Sequence, residues 1–260
     1  PCGDCDFCRA GRGNVCRNQT MPGNDCDGGF ADYLVVPATG LTEISSIPAG
    51  YSLADFSVIA DAVTTPLQAL HRAAVGESDF VIVNGTGGVG TYAVQIAAAR
   101  GAKVLGIDVN NDRLQPLLQH GAAAVLDVSG LEFKQIREAV RGHAADLGFE
   151  RHSWKIFECS GTPAGQETAF GLLGPAGTLA VVGFTPQRVT VRLSNLMAFD
   201  ATAFGSWGCP PELYPEAVGL VSSGRIDLQP FIQHMPLADI AEAFAIADEA
   251  KEAGRVILIP

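Results

Sequence analysis

The chain has 260 residues, of which 47% are hydrophobic and 17% charged, and its net charge is −11. That balance suits an α/β protein with a substantial core in one or two domains. The acidic excess argues against a general nucleic-acid binder. No apolar run has the length of a membrane span, and no basic-then-apolar signal segment opens the chain.

The chain begins on Pro1-Cys2, without an initiator Met and already inside a cysteine cluster, so it reads as the continuation of a longer N-terminal segment. Cys2, Cys5, Cys8 and Cys16 fall as C-x2-C-x2-C-x7-C in a glycine-rich, polar loop. Four thiolates so spaced can wrap one tetrahedral metal, and zinc is the usual occupant of a closed four-cysteine site. An iron–sulfur run brings its fourth cysteine sooner and commonly follows it with Pro; here Arg17 follows. Disulfides would leave Cys26, Cys159 and Cys209 as an odd, scattered set beside a motif for an intracellular cofactor. The spacing therefore favours a structural zinc that holds a loop and keeps no position open for substrate.

Residues 21–30 are turn-rich, and Cys26 among them reads as a bystander. Ala31 to Val36 reads as a strand halted by Pro37, and residues 41–50 as a loop. From Leu53 the pattern turns helical through Ala54, Val58, Ile59 and Ala62. Asp61, by residue type alone, is either a helix cap or an oxygen ligand for a metal.

Phe80 to Asn84 is a short, mostly apolar run, the mark of a buried strand. Gly85, Gly87 and Gly90 follow in G-x-G-x-x-G spacing, with Gly88 and Val89 inside the turn. A helix from about Gly88 to Arg100 then buries Val89, Ala93, Ile96 and Ala97, and Gly101 stops it. Its N-terminus offers free amides to a pyrophosphate. A second strand, Lys103 to Ile107, ends at Asp108, roughly 20 residues beyond the turn, where a dinucleotide site places its ribose-binding acid. A carboxylate there repels a 2′-phosphate, so NAD is expected rather than NADP.

Strands and helices keep alternating. Pro116 predicts a kinked or shortened helix. His120 suits a helix C-terminus. Residues 124–128 read as a third strand, and Phe133, Ile136 and Val140 as one face of the next helix. Lys155 to Cys159 forms a fourth strand, with Cys159 a buried thiol. A helix to Leu173 and a strand from Thr178 to Val182 follow. Val189 to Leu193 alternates with strand period and is placed at the sheet edge. His71, His143, His152 and His234 stand alone in sequence and read as packing or surface residues.

The cysteine loop, Asp61-Ala-Val-Thr-Thr65 with Ala69-Leu70, the glycine turn and the ending Gly254-Arg-Val-Ile-Leu258 together resemble the zinc-dependent medium-chain alcohol dehydrogenases. The resemblance implies a Rossmann domain, a doubly wound α/β parallel sheet, over residues 63–206. It is flanked by pieces of a GroES-like catalytic domain at 1–62, which carries the zinc lobe, and at 207–260. It implies that Asp61 is a catalytic-zinc ligand, where most of the family has Cys, with Thr65 beside it. Arg113 falls near the adenosine ribose, the Val182-Gly183 backbone and Ser206 near the nicotinamide carboxamide, and Arg255 on the pyrophosphate. The family also implies a cytoplasmic enzyme, and a homodimer or homotetramer paired through residues 189–193. Met21-Pro-Gly-Asn-Asp25, Trp154-Lys-Ile-Phe-Glu-Cys-Ser-Gly161 and Ser206-Trp-Gly-Cys-Pro210 are similar to a branch that oxidises cyclic acyl-CoA alcohols. Three alternatives share the glycine turn: another zinc alcohol or polyol dehydrogenase of the same fold, a zinc-free enone or quinone reductase, and a non-catalytic NAD-binding protein.

Overall fold

The computed structural model describes residues 1–38, 40–150, 153–249 and 254–260; His152 lies outside them. The cysteine lobe holds α1 (Asp6–Arg9) and a 3₁₀ turn at Gly13–Val15. An irregular stretch leads to a 3₁₀ segment, Asp55–Ala60, and then to α2 (Thr64–Arg72). The alternating part comprises β1 (Phe80–Asn84), α3 (Gly90–Ala99), β2 (Lys103–Asp108), α4 (Asn111–Leu114), β3 (Ala124–Asp127) and α5 (Phe133–Asp146). It continues with β4 (Trp154–Glu158), α6 (Pro163–Gly171), β5 (Thr178–Val181), α7 (Ser194–Phe199) and β6 (Thr202–Gly205). After α8 (Tyr214–Ser222) come β7 (Ile232–Pro236), α9 (Ile240–Glu249) and β8 (Arg255–Ile259).

The first six strands form one parallel sheet in the order β3-β2-β1-β4-β5-β6. Strand order reverses between β1 and β4, and a crevice opens at the carboxyl ends there. Register aligns those ends: Asn84 lies opposite Ile107 and Glu158, and Val181 lies between Glu158 and Gly205. β7 and β8 form a separate parallel pair.

Each face of the sheet has its own core. Val81, Val83 and Phe157 pack with α2, α3 and α8 through Leu67, Leu70, Tyr92, Ile96 and Val221. Phe80, Ile82, Leu105 and Ile156 pack with α5 and α6 through Ile136, Val140 and Phe170. β1 is thus buried on both faces, which is why it reads as an unbroken apolar run. α4 stops at Leu114, and Pro116 sits in the 3₁₀ turn that follows, as a proline without an amide donor requires.

Two expected strands are absent. Residues 31–36 run as an irregular segment with Tyr33 and Val35 over 90% exposed, and no described strand lies beside them to pair with. Residues 189–193 are not a strand either. Val191 packs on the second core, and the chain then enters α7. The sheet edge is β6, which pairs with β5. Arg72 fastens this edge to α2: its guanidinium lies 4.3 Å from the Phe204 ring centre and donates to the Gly205 carbonyl.

Two glycine substitutions separate turn geometry from helix propensity. Gly142, inside α5, has open space around a built Cβ, so Gly142→Ala should stabilise by about 0.5–1 kcal/mol. A Cβ on Gly90 would lie 1.8 Å from the Gly85 carbonyl oxygen, so Gly90→Ala should destabilise by about 1–3 kcal/mol or more. Urea denaturation of both variants checks the two signs.

Candidate active site and metal lobe

The glycine turn sets the site's geometry. Gly85 adopts φ +91°, and the contact between Gly90 and the Gly85 carbonyl starts α3 directly behind β1. The unpaired amides of α3 therefore face the crevice. Gly88 lies under a guanidinium: a Cβ there would be 2.8 Å from Arg255 Nε. Arg113 Nη1 lies 3.7 Å from a Cβ position on Gly87. Gly87, Gly88, Val89, Arg113 and Arg255 share a cavity of about 480 Å³ with Phe244 of α9. Two guanidiniums over a helix N-terminus fit a pyrophosphate.

Asp108 ends β2 beside this turn, 7% exposed. One oxygen accepts from the Thr86 amide (2.7 Å) and hydroxyl (3.1 Å), the other from the amides of Val109 (2.8 Å) and Asn110 (3.0 Å). A carboxylate has about four acceptor sites, so Asp108 is saturated from within the chain. It ties the glycine turn to β2.

A second cavity, about 610 Å³, adjoins the first at Val89 and Cys159, which line both. Asp61, Thr65, Val182, Gly183 and Ser206 converge on it. Ser206 is 9% exposed, and its Oγ is buried with no protein partner, as a hydroxyl reserved for a ligand would be. Asp61 does not cap α2, whose N-cap is Val63. Instead its Oδ1 accepts from the Thr65 hydroxyl (2.9 Å) and its Oδ2 from Arg255 Nη2 (2.8 Å). Its side chain is 63% exposed, and each oxygen has an acceptor site to spare for a metal.

Other residues near the site belong to no metal or cofactor motif and take their place from the fold. Trp207 and Tyr214 line the second cavity with Asn14 and Met21 from the segment around the cysteine lobe. The Asn14 amide donates to the Trp207 carbonyl at 2.7 Å, and the Tyr214 hydroxyl to that of Ala60 at 2.9 Å. Glu158, at the end of β4, is fully buried. Its Oε1 accepts from the Ser160 amide (2.8 Å), the Ser160 hydroxyl (2.5 Å) and the Gly161 amide (3.1 Å), while Oε2 has no protein partner. Burial pushes this carboxyl above the usual range, against those donors. Burial also raises the Cys159 thiol and pushes Cys209 up to about 12, so neither serves as a nucleophile. His71 and His234 pair with Glu216 and Asp55, away from both cavities.

The four lobe cysteines come together as the spacing predicts, their Sγ atoms all within 4.8 Å of one another. Cys5–Cys8, Cys5–Cys16 and Cys2–Cys8 lie 3.5, 3.8 and 4.0 Å apart. A tetrahedron with metal–sulfur bonds of about 2.3 Å has edges of about 3.8 Å, so zinc fits without rearrangement. Cys26 is exposed and outside the cluster.

Cys16→Ser should lower the zinc content of purified protein by one ion per chain, read by elemental analysis with thiol titration. Iron with labile sulfide in an anaerobic preparation would overturn the zinc assignment. Glu158, with its folded pKa raised, contributes full stability below its unfolded pKa and loses it as pH rises through the folded value. Glu158→Gln should therefore raise Tm relative to the parent at pH 7, with the gain vanishing near pH 4, about the unfolded carboxyl value.

Comparison with known proteins agrees with this geometry. Residues 88–223 match the family model for zinc-binding dehydrogenases. The chain is 32% identical to the L-threonine 3-dehydrogenase of Paraburkholderia phytofirmans, over 99% of this chain and 72% of that protein. It is 30% identical to the D-arabinose 1-dehydrogenase (NADP(+)) of Saccharolobus solfataricus, over 98% and 71%. The crystal structure of galactitol-1-phosphate dehydrogenase from Escherichia coli superposes with a TM-score of 0.86 at 28% identity, covering 100% of this chain and 75% of that one. No described helix is long and apolar enough to cross a membrane. The chain belongs to the zinc-binding medium-chain dehydrogenase family.

Proposed function

We propose that the chain is an NAD-dependent secondary-alcohol dehydrogenase acting on 6-hydroxycyclohex-1-ene-1-carbonyl-CoA, with the 6-oxo enone, NADH and a proton as products. The observation that carries this reading is the convergence of Asp61, Thr65, Val182 and Ser206 on one cavity beside the glycine turn. Among its described lining residues Asp61 has the only charged side chain, and no Lys, Arg or His is present. An uncharged ring alcohol meets Trp207, Met21 and Tyr214 there. The sequence words quoted above supply the acyl-CoA branch.

Arg255 would hold the cofactor pyrophosphate over Gly88, and Arg113, beside Gly87, would lie near the adenosine ribose. Ser206 Oγ and the Val182 carbonyl orient the nicotinamide carboxamide, and Val89 lies at the junction of the two cavities. Asp61, steadied by Thr65, is the residue in this chain that would hold a catalytic zinc. That ion, when bound, supplies Lewis-acid polarisation of the alcohol oxygen and lowers its pKa. NAD, when bound, would supply the acceptor for the hydride of the carbinol carbon. The Asp108 charge disfavours a 2′-phosphate although its lone pairs are engaged. The proposed setting is cytoplasmic, and the proposed assembly is a homodimer or homotetramer, with β6 as the open sheet edge.

Steady-state assay of NADH formation tests this reading. The 6-hydroxy acyl-CoA should give a higher kcat/KM than galactitol 1-phosphate, threonine or arabinose, and NAD a higher one than NADP. Asp108→Ala should narrow the NAD/NADP preference by about tenfold. A higher kcat/KM with the phosphorylated polyol would overturn the substrate assignment.

A further inference from the structure

A third cavity, about 620 Å³, opens at the opposite end of the sheet from the crevice. Trp154, the first residue of β4, and Gly174-Pro175, just before β5, mark that end. Its apolar wall is built from Phe133, Trp154, Leu172 and Phe199. Arg137 and Arg141, one helical turn apart on α5, line the same space. Neither makes an ion pair with any described acid. Arg137 lies 5.8 Å from the Phe133 ring centre, a contact that steadies the guanidinium without using its donors.

The local charge runs against the rest of the molecule. Among the described lining residues two guanidiniums face one carboxylate, the exposed Glu150, so this lining is net positive on a chain of net charge −11. On so acidic a surface, two neighbouring arginines left without acids keep their forked donors available to an outside anion. Three aromatic side chains beside them select a flat apolar body, and the volume lies in the range of small-molecule sites.

We propose that this cavity binds a ring-bearing carboxylate, with the carboxylate on Arg137 and Arg141 and the ring against Trp154 and Phe199. The site is separate from both crevice cavities, with which it shares no lining residue. It does not depend on the substrate assigned above.

Isothermal titration with benzoate, phenyl phosphate and benzyl alcohol tests it. Benzoate should bind saturably, at least tenfold more tightly than benzyl alcohol and more tightly than phenyl phosphate. The exposed-site variant Arg137→Gln/Arg141→Gln should lose tenfold or more in benzoate affinity while NADH affinity stays unchanged. Arg137→Lys, which keeps the charge but not the fork, should fall between. Equal binding of benzoate and benzyl alcohol, displacement of benzoate by NADH, or unchanged benzoate affinity in the double variant would each overturn the proposal. A preference for phenyl phosphate would overturn the carboxylate class.

Discussion

The contact between Gly90 and the carbonyl of Gly85 is the constraint from which the rest of the site follows. Because neither residue carries a Cβ, α3 begins directly behind the end of β1, and its first turns pack on the sheet with Tyr92 and Ile96 fully buried. A helix so placed must aim its unpaired amides into the crevice where strand order reverses. The intervening turn is not left loose. Thr86 donates its amide and hydroxyl to Asp108, so the loop is bonded to β2 from inside the chain. An anion entering this turn meets donors already in position, which lowers the ordering cost of binding.

Two cavities meet over that turn, and the fold assigns them different chemistry. The one over Gly87 and Gly88 is edged by Arg113 and Arg255 and suits phosphates. The other holds Asp61 and the partnerless Ser206 hydroxyl and suits a neutral reacting group. The cysteine lobe helps to shape the second one: Asn14, in the 3₁₀ turn just before Cys16, holds the Trp207 carbonyl. A metal that stiffens the lobe therefore also stiffens the wall formed by the chain leaving β6.

Most of the parallel sheet was legible because its strands are buried on both faces and their apolar runs are bounded by turn residues. β1 was read with its observed limits, and β3 and β4 to within a residue. The cysteine quartet was legible because its ligands are local, and so spacing alone encodes the geometry. The errors share a physical origin. Val189 to Leu193 alternates in sequence, but Val191 meets the second core while Leu193 is exposed, so the alternation marks no sheet face. β6, the short Thr202–Gly205 strand, has too little pattern to compete with it, although it is the true sheet edge. Ala31 to Val36 has strand-like residues and no described strand to pair with. Trp207 and Tyr214 were not marked as site residues, because only the fold carries them to the crevice.

Arg255 and Asp61 stand 194 positions apart in sequence, yet one hydrogen bond joins them across the boundary between the two cavities. The arginine rests on the phosphate-facing turn while its outer nitrogen holds the carboxylate that faces the other chamber. A ligand that draws on either group alters the electrostatic field and the bonding of its partner. Thermodynamic reciprocity then requires any such influence to run equally in both directions.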